Sequence, residues 1–326
     1  MLDDLYHSLS PVAFSIGSFS VRWYGLSYSL SFLLAAILAM RICKRWNIKM
    51  TLESMLTLLI LCMLGTILGG RLGFVLFYSN GYYFDNPAGI LDFSHGGMSF
   101  HGGLIGFALG VVIATRIIKM PLLTLGDLAG ICTPIGLGLV RFANFINGEL
   151  WGSVTDLPWG VVFDNGGPLP RHPTQIYEAL LEGVVLLVVL YLLSRRKPPL
   201  PQGTYFGLFL VGYGVFRIAV EFIREPDIQL GYLFGTNWIT MGMTLSFPMI
   251  LIGACFLFYA FRYKHPQAGQ LVFVEAVQED ARDDVKDNAQ DETQDDTQDD
   301  VRDDAQDETQ AHEQDEEPES LSDDPK

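Results

Sequence analysis

The chain has 326 residues, 49% of them hydrophobic, and a formal charge of −16 from 37 acids against 21 lysines and arginines. From Gln270 onward there are 23 acids and 4 bases, which leaves 14 acids and 17 bases in residues 1–269. The low isoelectric point therefore belongs to the tail and says nothing about the core, and no nucleic acid is expected as a partner.

Residues 1–269 read as an all-α polytopic membrane domain. About seven apolar segments are long enough, or nearly so, to cross ~30 Å of hydrocarbon. They lie near 20–41, 54–78, 100–118, 122–146, 174–194, 203–223 and 238–262. Residues 1–20 lack a basic leading region, so no cleavable signal peptide is expected. Bases follow the first, third, fifth and seventh segments: Arg41, Lys44, Arg45 and Lys49, then Arg116 and Lys119, then Arg195, Arg196 and Lys197, then Arg262 and Lys264. The opposite loops carry Asp85, Asp92, Asp156 and Asp164 with few bases. The positive-inside rule then places the N-terminus outside and the C-terminus in the cytoplasm. Cys43, Cys62, Cys132 and Cys255 fall within or at the edges of spans, form no metal-type spacing, and read as small apolar residues.

In chain order, the first polar motif is 22–25, Arg-Trp-Tyr-Gly, at the outer end of the first span. Tyr24 is either an interfacial belt residue or a hydroxyl donated into a site. In the second span Gly65, Gly69, Gly70 and Gly73 follow the spacing of close helix contact. Arg71 among them is either a snorkelling side chain or an ion-pair partner. The loop beyond holds Tyr82, Tyr83 and Phe84 and leads to 95–103, His-Gly-Gly-Met-Ser-Phe-His-Gly-Gly. Paired glycines allow tight turns and close approach of a backbone or ligand. His101 between them is a structural hydrogen-bonder or a base, and His95 a loop residue.

The densest polar stretch, 139–152, reads Leu-Val-Arg-Phe-Ala-Asn-Phe-Ile-Asn-Gly-Glu-Leu-Trp-Gly. Helical spacing puts Arg141, Asn144 and Gly148 on one face. An arginine in hydrocarbon costs roughly 2.5–3.5 kcal/mol on insertion scales, which implies an anionic partner in the protein or in a lipid. The polar loop 147–173 is the longest external connection, with room for a small extracytoplasmic cap. Thr174 can cap the fifth helix. Glu178 and Glu182 fall one turn apart inside it, where pairing with arginine is the favoured reading. In the sixth span Tyr213, Arg217, Glu221 and Arg224 share one helical face, and Glu221 can pair with Arg217 or Arg224. The tail repeats itself imperfectly, DDVKDNAQDETQ, DDTQ and DDVRDDAQDETQ. It has too few apolar residues to offset ordering entropy, so residues 270–326 are expected to form a disordered acidic tail.

These residues alone suggest an outward-opening, arginine-bearing membrane site. An enzyme acting on a phospholipid and a transporter of an anionic solute both fit. No convincing repeat relates the two halves, and the glycine-rich loops with a histidine favour the enzyme.

Five ordered motifs carry a sharper likeness. Residues 141–152 closely resemble the signature of bacterial phosphatidylglycerol–prolipoprotein diacylglyceryl transferases, and 22–25, 96–103, 172–178 and 213–227 agree with that family in order and spacing. The likeness covers roughly 10–263. It departs at Val140, where the signature has glycine before its arginine, and the tail has no counterpart in it. The resemblance implies transfer of a diacylglyceryl group from phosphatidylglycerol to the lipobox cysteine of a prolipoprotein, still joined to its signal peptide, in the bacterial cytoplasmic (inner) membrane with the site toward the outer leaflet and periplasm. It implies catalytic roles for His101, Arg141, Arg217, Tyr24 and Tyr213. Substrate contacts are expected from Arg141, Asn144, Arg217, Glu149, Gly152, Glu221 and Arg224, with Glu149 and Glu221 orienting arginines. No metal or other cofactor is expected.

Overall fold

A computed structural model describes residues 2–17, 19–77, 83, 89–90, 98–226 and 231–267, apart from the side chains of Phe19, Phe100 and His101. The expectations for His95, Gly96, Gly97, Tyr82, Phe84, Asp85, Asp92, Asp227 and the tail lie outside the described residues. Residues 1–270 form one compact unit.

The elements run α1 (Leu2–Ser8), β1 (Val12–Ile16), β2 (Phe19–Arg22), α2 (Trp23–Arg45), α3 (Leu52–Phe77), α4 (Phe100–Ile118), α5 (Leu122–Ile146), α6 (Thr174–Ser194), α7 (Thr204–Glu221) and α8 (Met241–Tyr263). Six of these helices, α2, α3, α5, α6, α7 and α8, are long and apolar enough to cross a membrane, and the apolar part of α4, Gly102–Ile118, is shorter. The chain is a multi-pass membrane protein. Its exposed leucines, isoleucines and phenylalanines, such as Leu33, Ile113 and Phe258, are what a lipid-facing surface requires.

Successive helices alternate in direction, which defines two ends. The hairpin end carries α1, the antiparallel β1–β2 pair and residues 147–173. There Tyr6 packs with Phe145, Val161 and Phe163, and Asp3 accepts from the Val162 backbone N–H at 2.8 Å. Burial raises the Tyr6 hydroxyl above its ordinary pKa, so the phenol stays protonated in this cluster. The opposite, basic end is tied by Trp46, whose indole donates to the Ser194 carbonyl at 3.0 Å, and by Arg45, which donates to the Arg195 carbonyl at 2.9 Å.

Two glycine faces explain the tightest packing. Gly65, Gly69 and Gly73 of α3 meet Gly102 and Gly106 of α4 backbone to backbone; a Cβ on Gly69 would lie 2.8 Å from the Gly106 Cα. The spacing read in the sequence is this contact. Arg71, on the same helix, is buried and donates to the Ile90 and Gly89 carbonyls at 2.7 and 2.8 Å and to the Tyr83 hydroxyl at 3.3 Å. It therefore braces the loop rather than snorkelling.

Candidate functional site

The site is assembled at the hairpin end from α5, α6, α7 and the residue run after α7. The organising group is Glu178, which is 0% exposed. Arg141 on α5 places its Nε 3.0 Å from one Glu178 oxygen. Arg217 on α7 donates from Nη1 to the other oxygen, and Arg224 reaches the same oxygen from Nη1 at 3.1 Å. Arg217 also puts Nη2 2.8 Å from Glu221, an ion pair without hydrogen-bond alignment at that carboxylate oxygen.

Three guanidiniums thus converge on one buried carboxylate. Removing an ion from water costs several kcal/mol, so a cluster of this kind persists only when the charges face one another. Arg141 comes closest to Glu178 through Nε, and no hydrogen bond engages its two terminal amines among the described residues. Its side chain is 17% exposed, against 12% for Arg217 and 7% for Arg224. Arg141 therefore presents an open planar fork, the geometry that fits two oxygens of a carboxylate or phosphate.

The backbone explains why these side chains meet. Residues 152–153 lie between two other stretches of the chain: the Gly152 N–H donates to the His172 carbonyl at 2.8 Å and the Ser153 N–H to the Ile223 carbonyl at 2.9 Å. Gly152 pairs with Arg224 as an isolated bridge, and a Cβ at Gly152 would lie 2.5 Å from the Ile223 carbonyl oxygen and 2.8 Å from the His172 Cβ. Only glycine lets the chain after α7 come this close, and that approach delivers Arg224. Arg171 locks the frame by stacking over Trp151 at 4.1 Å and pairing with Glu225 at 3.1 Å.

The remaining expected residues divide. Tyr213 lies within electrostatic reach of Arg141, Arg217 and Glu178 and belongs to the cluster. Tyr24 stands 3.4 Å, hydroxyl to hydroxyl, from Tyr28, which in turn is in reach of Arg141 and Glu149. Glu221 is an ion-pair partner of Arg217. Asn144 is buried and donates to Glu149 at 2.7 Å. His101 sits in the first turn of α4, behind the Ser99 cap that accepts from the Gly102 N–H at 3.2 Å, and its side chain lies outside the described residues.

Four expectations are corrected. Among the described residues Glu149 orients Asn144 and not an arginine, because α5 ends at Ile146 and the positive-φ residues Gly148 and Leu150 fold the chain back over that end. Gly148 is for the same reason off the helical face of Arg141. Arg224 lies beyond the end of α7 and joins the cluster through the bridge to Gly152, not through a shared helical face. Thr174 does not cap α6; its hydroxyl donates to the Leu150 carbonyl at 2.9 Å.

Sequence reasoning missed Tyr28, one turn along from Tyr24, and the Trp159–Tyr177–His172 chain. In that chain the indole donates to the Tyr177 hydroxyl at 2.7 Å, and the hydroxyl stands 3.3 Å from His172 Nδ1. Burial lowers the basicity of His172, which favours the neutral ring at pH 7. It also missed that α6 opens into a π-helical turn over Ala179–Val185, immediately after Glu178. Such turns often mark functional sites.

The family model for prolipoprotein diacylglyceryl transferase matches residues 11–259. A curated phosphatidylglycerol–prolipoprotein diacylglyceryl transferase from Brucella anthropi is 48% identical over 256 residues, covering 76% of this chain and 90% of that protein. Its counterpart from Brucella canis is 47% identical over 255 residues, with the same shares.

Proposed function

The chain belongs to the prolipoprotein diacylglyceryl transferase family, and from that premise we propose that it transfers the diacylglyceryl group of phosphatidylglycerol to the lipobox cysteine of a prolipoprotein, the first step of lipoprotein maturation. The observation that carries this reading to individual residues is the convergence of Arg141, Arg217 and Arg224 on Glu178, with the Arg141 fork open.

The thiol sulfur attacks the glycerol carbon that bears the phosphate ester. A carbon–sulfur bond forms, the carbon–oxygen bond breaks, and glycerol phosphate leaves. The thiol, with a reference pKa near 8.5, gives up its proton before or during attack. As the ester bond breaks, negative charge grows on the phosphate. Fixed guanidiniums aimed at that phosphate stabilise the transition state more than the ground state. Arg141 holds phosphate oxygens through its fork, and Arg217, steadied by Glu178 and Glu221, adds charge beside it. Tyr213 and Asn144 position substrate within the same pocket. Gly152 and Arg224 set the floor. Tyr24 approaches through Tyr28. His101 takes the thiol proton, a role that rests on its place between glycine pairs and on the family resemblance.

The loop charges support an orientation. Arg45, Arg195, Arg196, Lys197, Arg262 and Lys264 gather at the basic end, so that end faces the cytoplasm, and the arginine cluster faces the outer leaflet of the cytoplasmic membrane. Residues 147–173 form a small cap there. The family match ends at 259, which supports a catalytic domain of residues 1–269 and an accessory acidic tail.

The test is transfer in proteoliposomes containing phosphatidylglycerol and a lipobox peptide. A diacylglyceryl-modified peptide with equimolar glycerol phosphate is expected. Uptake of an anionic solute without modified peptide would replace the enzyme with a transporter.

A further inference from the structure

Among the described residues, Glu182 is the buried carboxylate of the site that has no part in the proposed mechanism. It is 0% exposed, and neither carboxylate oxygen has a hydrogen-bond partner among the described residues. It sits in the π-helical turn of α6, whose backbone is pressed against α5 so closely that a Cβ on Gly183 would lie 2.6 Å from the Gly138 Cα. Glu178 of its own helix, Arg141 of α5, Tyr213 and Arg217 of α7 and Arg224 of the segment that follows lie within electrostatic reach of it. Glu221, on α7, is paired with Arg217.

The charge of this cluster decides what it can bind. Arg141, Arg217 and Arg224 bring three positive charges, and Glu178 and Glu221, each held by arginine, remove two. Glu149 is exposed and engaged by Asn144, so water screens it. With Glu182 ionised the pocket is neutral, and a phosphodiester monoanion would make it negative. With Glu182 neutral the pocket carries one positive charge, which the phosphodiester cancels. An ionised carboxylate with neither oxygen bonded is also the costlier state in a medium without water.

We propose that Glu182 holds a proton whenever the lipid phosphodiester occupies the arginine cluster, setting the site to one net positive charge. Glu182 is a substrate-positioning group for the reaction proposed above and takes no part in bond breaking. The inference rests on that reading for the identity of the anion alone. The only bond that changes at Glu182 is its O–H bond, which forms with a proton taken from solvent when lipid binds under conditions where the free carboxyl is ionised.

The linkage has a fixed sign. Binding favours the protonated form, so affinity is full while Glu182 is protonated and falls as pH rises through its titration, by about tenfold per pH unit above it. The phosphodiester itself does not titrate in this range, and the guanidiniums stay charged.

The experiment is equilibrium binding of phosphatidylglycerol to the full chain in detergent, without acceptor peptide, from pH 6 to pH 9, for wild type and Glu182→Gln. Wild type is expected to lose affinity with rising pH and to take up protons on binding at alkaline pH, read with an indicator in weak buffer. Glu182→Gln, permanently neutral, is expected to bind at every pH as wild type does at pH 6, and to take up none. Parallel profiles for the two proteins, or wild-type binding without proton uptake, overturn the proposal. The uptake measurement on wild type needs no variant, so a poorly folded Glu182→Gln leaves the test intact. Failure of wild type to bind this lipid at any pH would instead strike the proposed function.

Discussion

The molecule buries a carboxylate at each end, and the two are held differently. At the basic end Asp127 of α5 is 0% exposed and accepts from the Gly203 N–H at 2.8 Å, the Phe206 N–H at 2.9 Å and the Gln267 side chain at 2.7 Å. Two of these donors are the orphan amides at the start of α7, where the helix end itself favours an anion. All three donors are neutral. At the hairpin end Glu178 meets three guanidiniums, more donor hydrogens than one carboxylate can accept. The saturated carboxylate fastens α5, α7 and the chain after α8 together. The oversupplied one leaves guanidinium hydrogens that Glu178 cannot accept, and the proposed function gives that surplus to an anionic substrate.

Breaking the second arrangement should have the largest effect. Glu178→Gln leaves three buried cations facing a neutral amide, and loss of a buried ion-pair partner costs about 3–5 kcal/mol. Thermal unfolding in detergent should shift strongly downward, and transfer to a lipobox peptide should be lost. A variant with wild-type stability and turnover would remove Glu178 from the centre of the site.

Arg141→Lys sharpens the comparison. It keeps the charge and removes the fork, so unfolding should barely move while turnover falls. A lost charge-assisted contact worth about 2–4 kcal/mol in the transition state corresponds to ~30- to 1000-fold in rate. Turnover within a factor of two of wild type would assign the phosphate to another residue.

Asp127→Asn should act in the opposite sense. One carboxylate oxygen is replaced by an amide N–H that faces donors, which costs about 1–3 kcal/mol of stability. Turnover per folded molecule should be unchanged, as measured in the soluble, correctly eluting fraction. A specific loss of turnover would join the two ends functionally. The smallest effect is expected from truncation after Gly269, which should leave turnover in liposomes as it was; a large fall with the remaining protein folded would give the acidic tail a catalytic part.

Much of this arrangement was legible in the sequence, for physical reasons that also mark where legibility stopped. Hydrophobic runs report on lipid-facing helices, so the segments at 100–118, 122–146 and 174–194 coincide with α4, α5 and α6. The α3 glycines reported their contact because only a backbone-to-backbone surface needs such spacing. Arg217 and Glu221 stand one turn apart on one helix, and their pairing followed from periodicity. Periodicity is silent beyond a helix end. It put Gly148 and Arg224 on faces they do not share, because α5 stops at Ile146 and α7 at Glu221. Nor does local pattern say which carboxylate unites residues far apart in the chain: Glu178 meets Arg217 and Arg224 across 39 and 46 positions. Its role as the common partner, and the unbonded state of Glu182 beside it, come from tertiary packing.

The most direct test of the phosphate site is the paired variant Arg217→Gln with Glu221→Gln, compared with wild type in diacylglyceryl transfer and in thermal unfolding. The exchange removes one positive and one negative charge together and leaves Arg141 and Arg224 on Glu178. If Arg217 stabilises the leaving phosphate, the paired variant unfolds near the wild-type temperature and transfers no diacylglyceryl group. A folded paired variant with restored transfer would contradict that role and leave Arg217 as the counter-charge of Glu221.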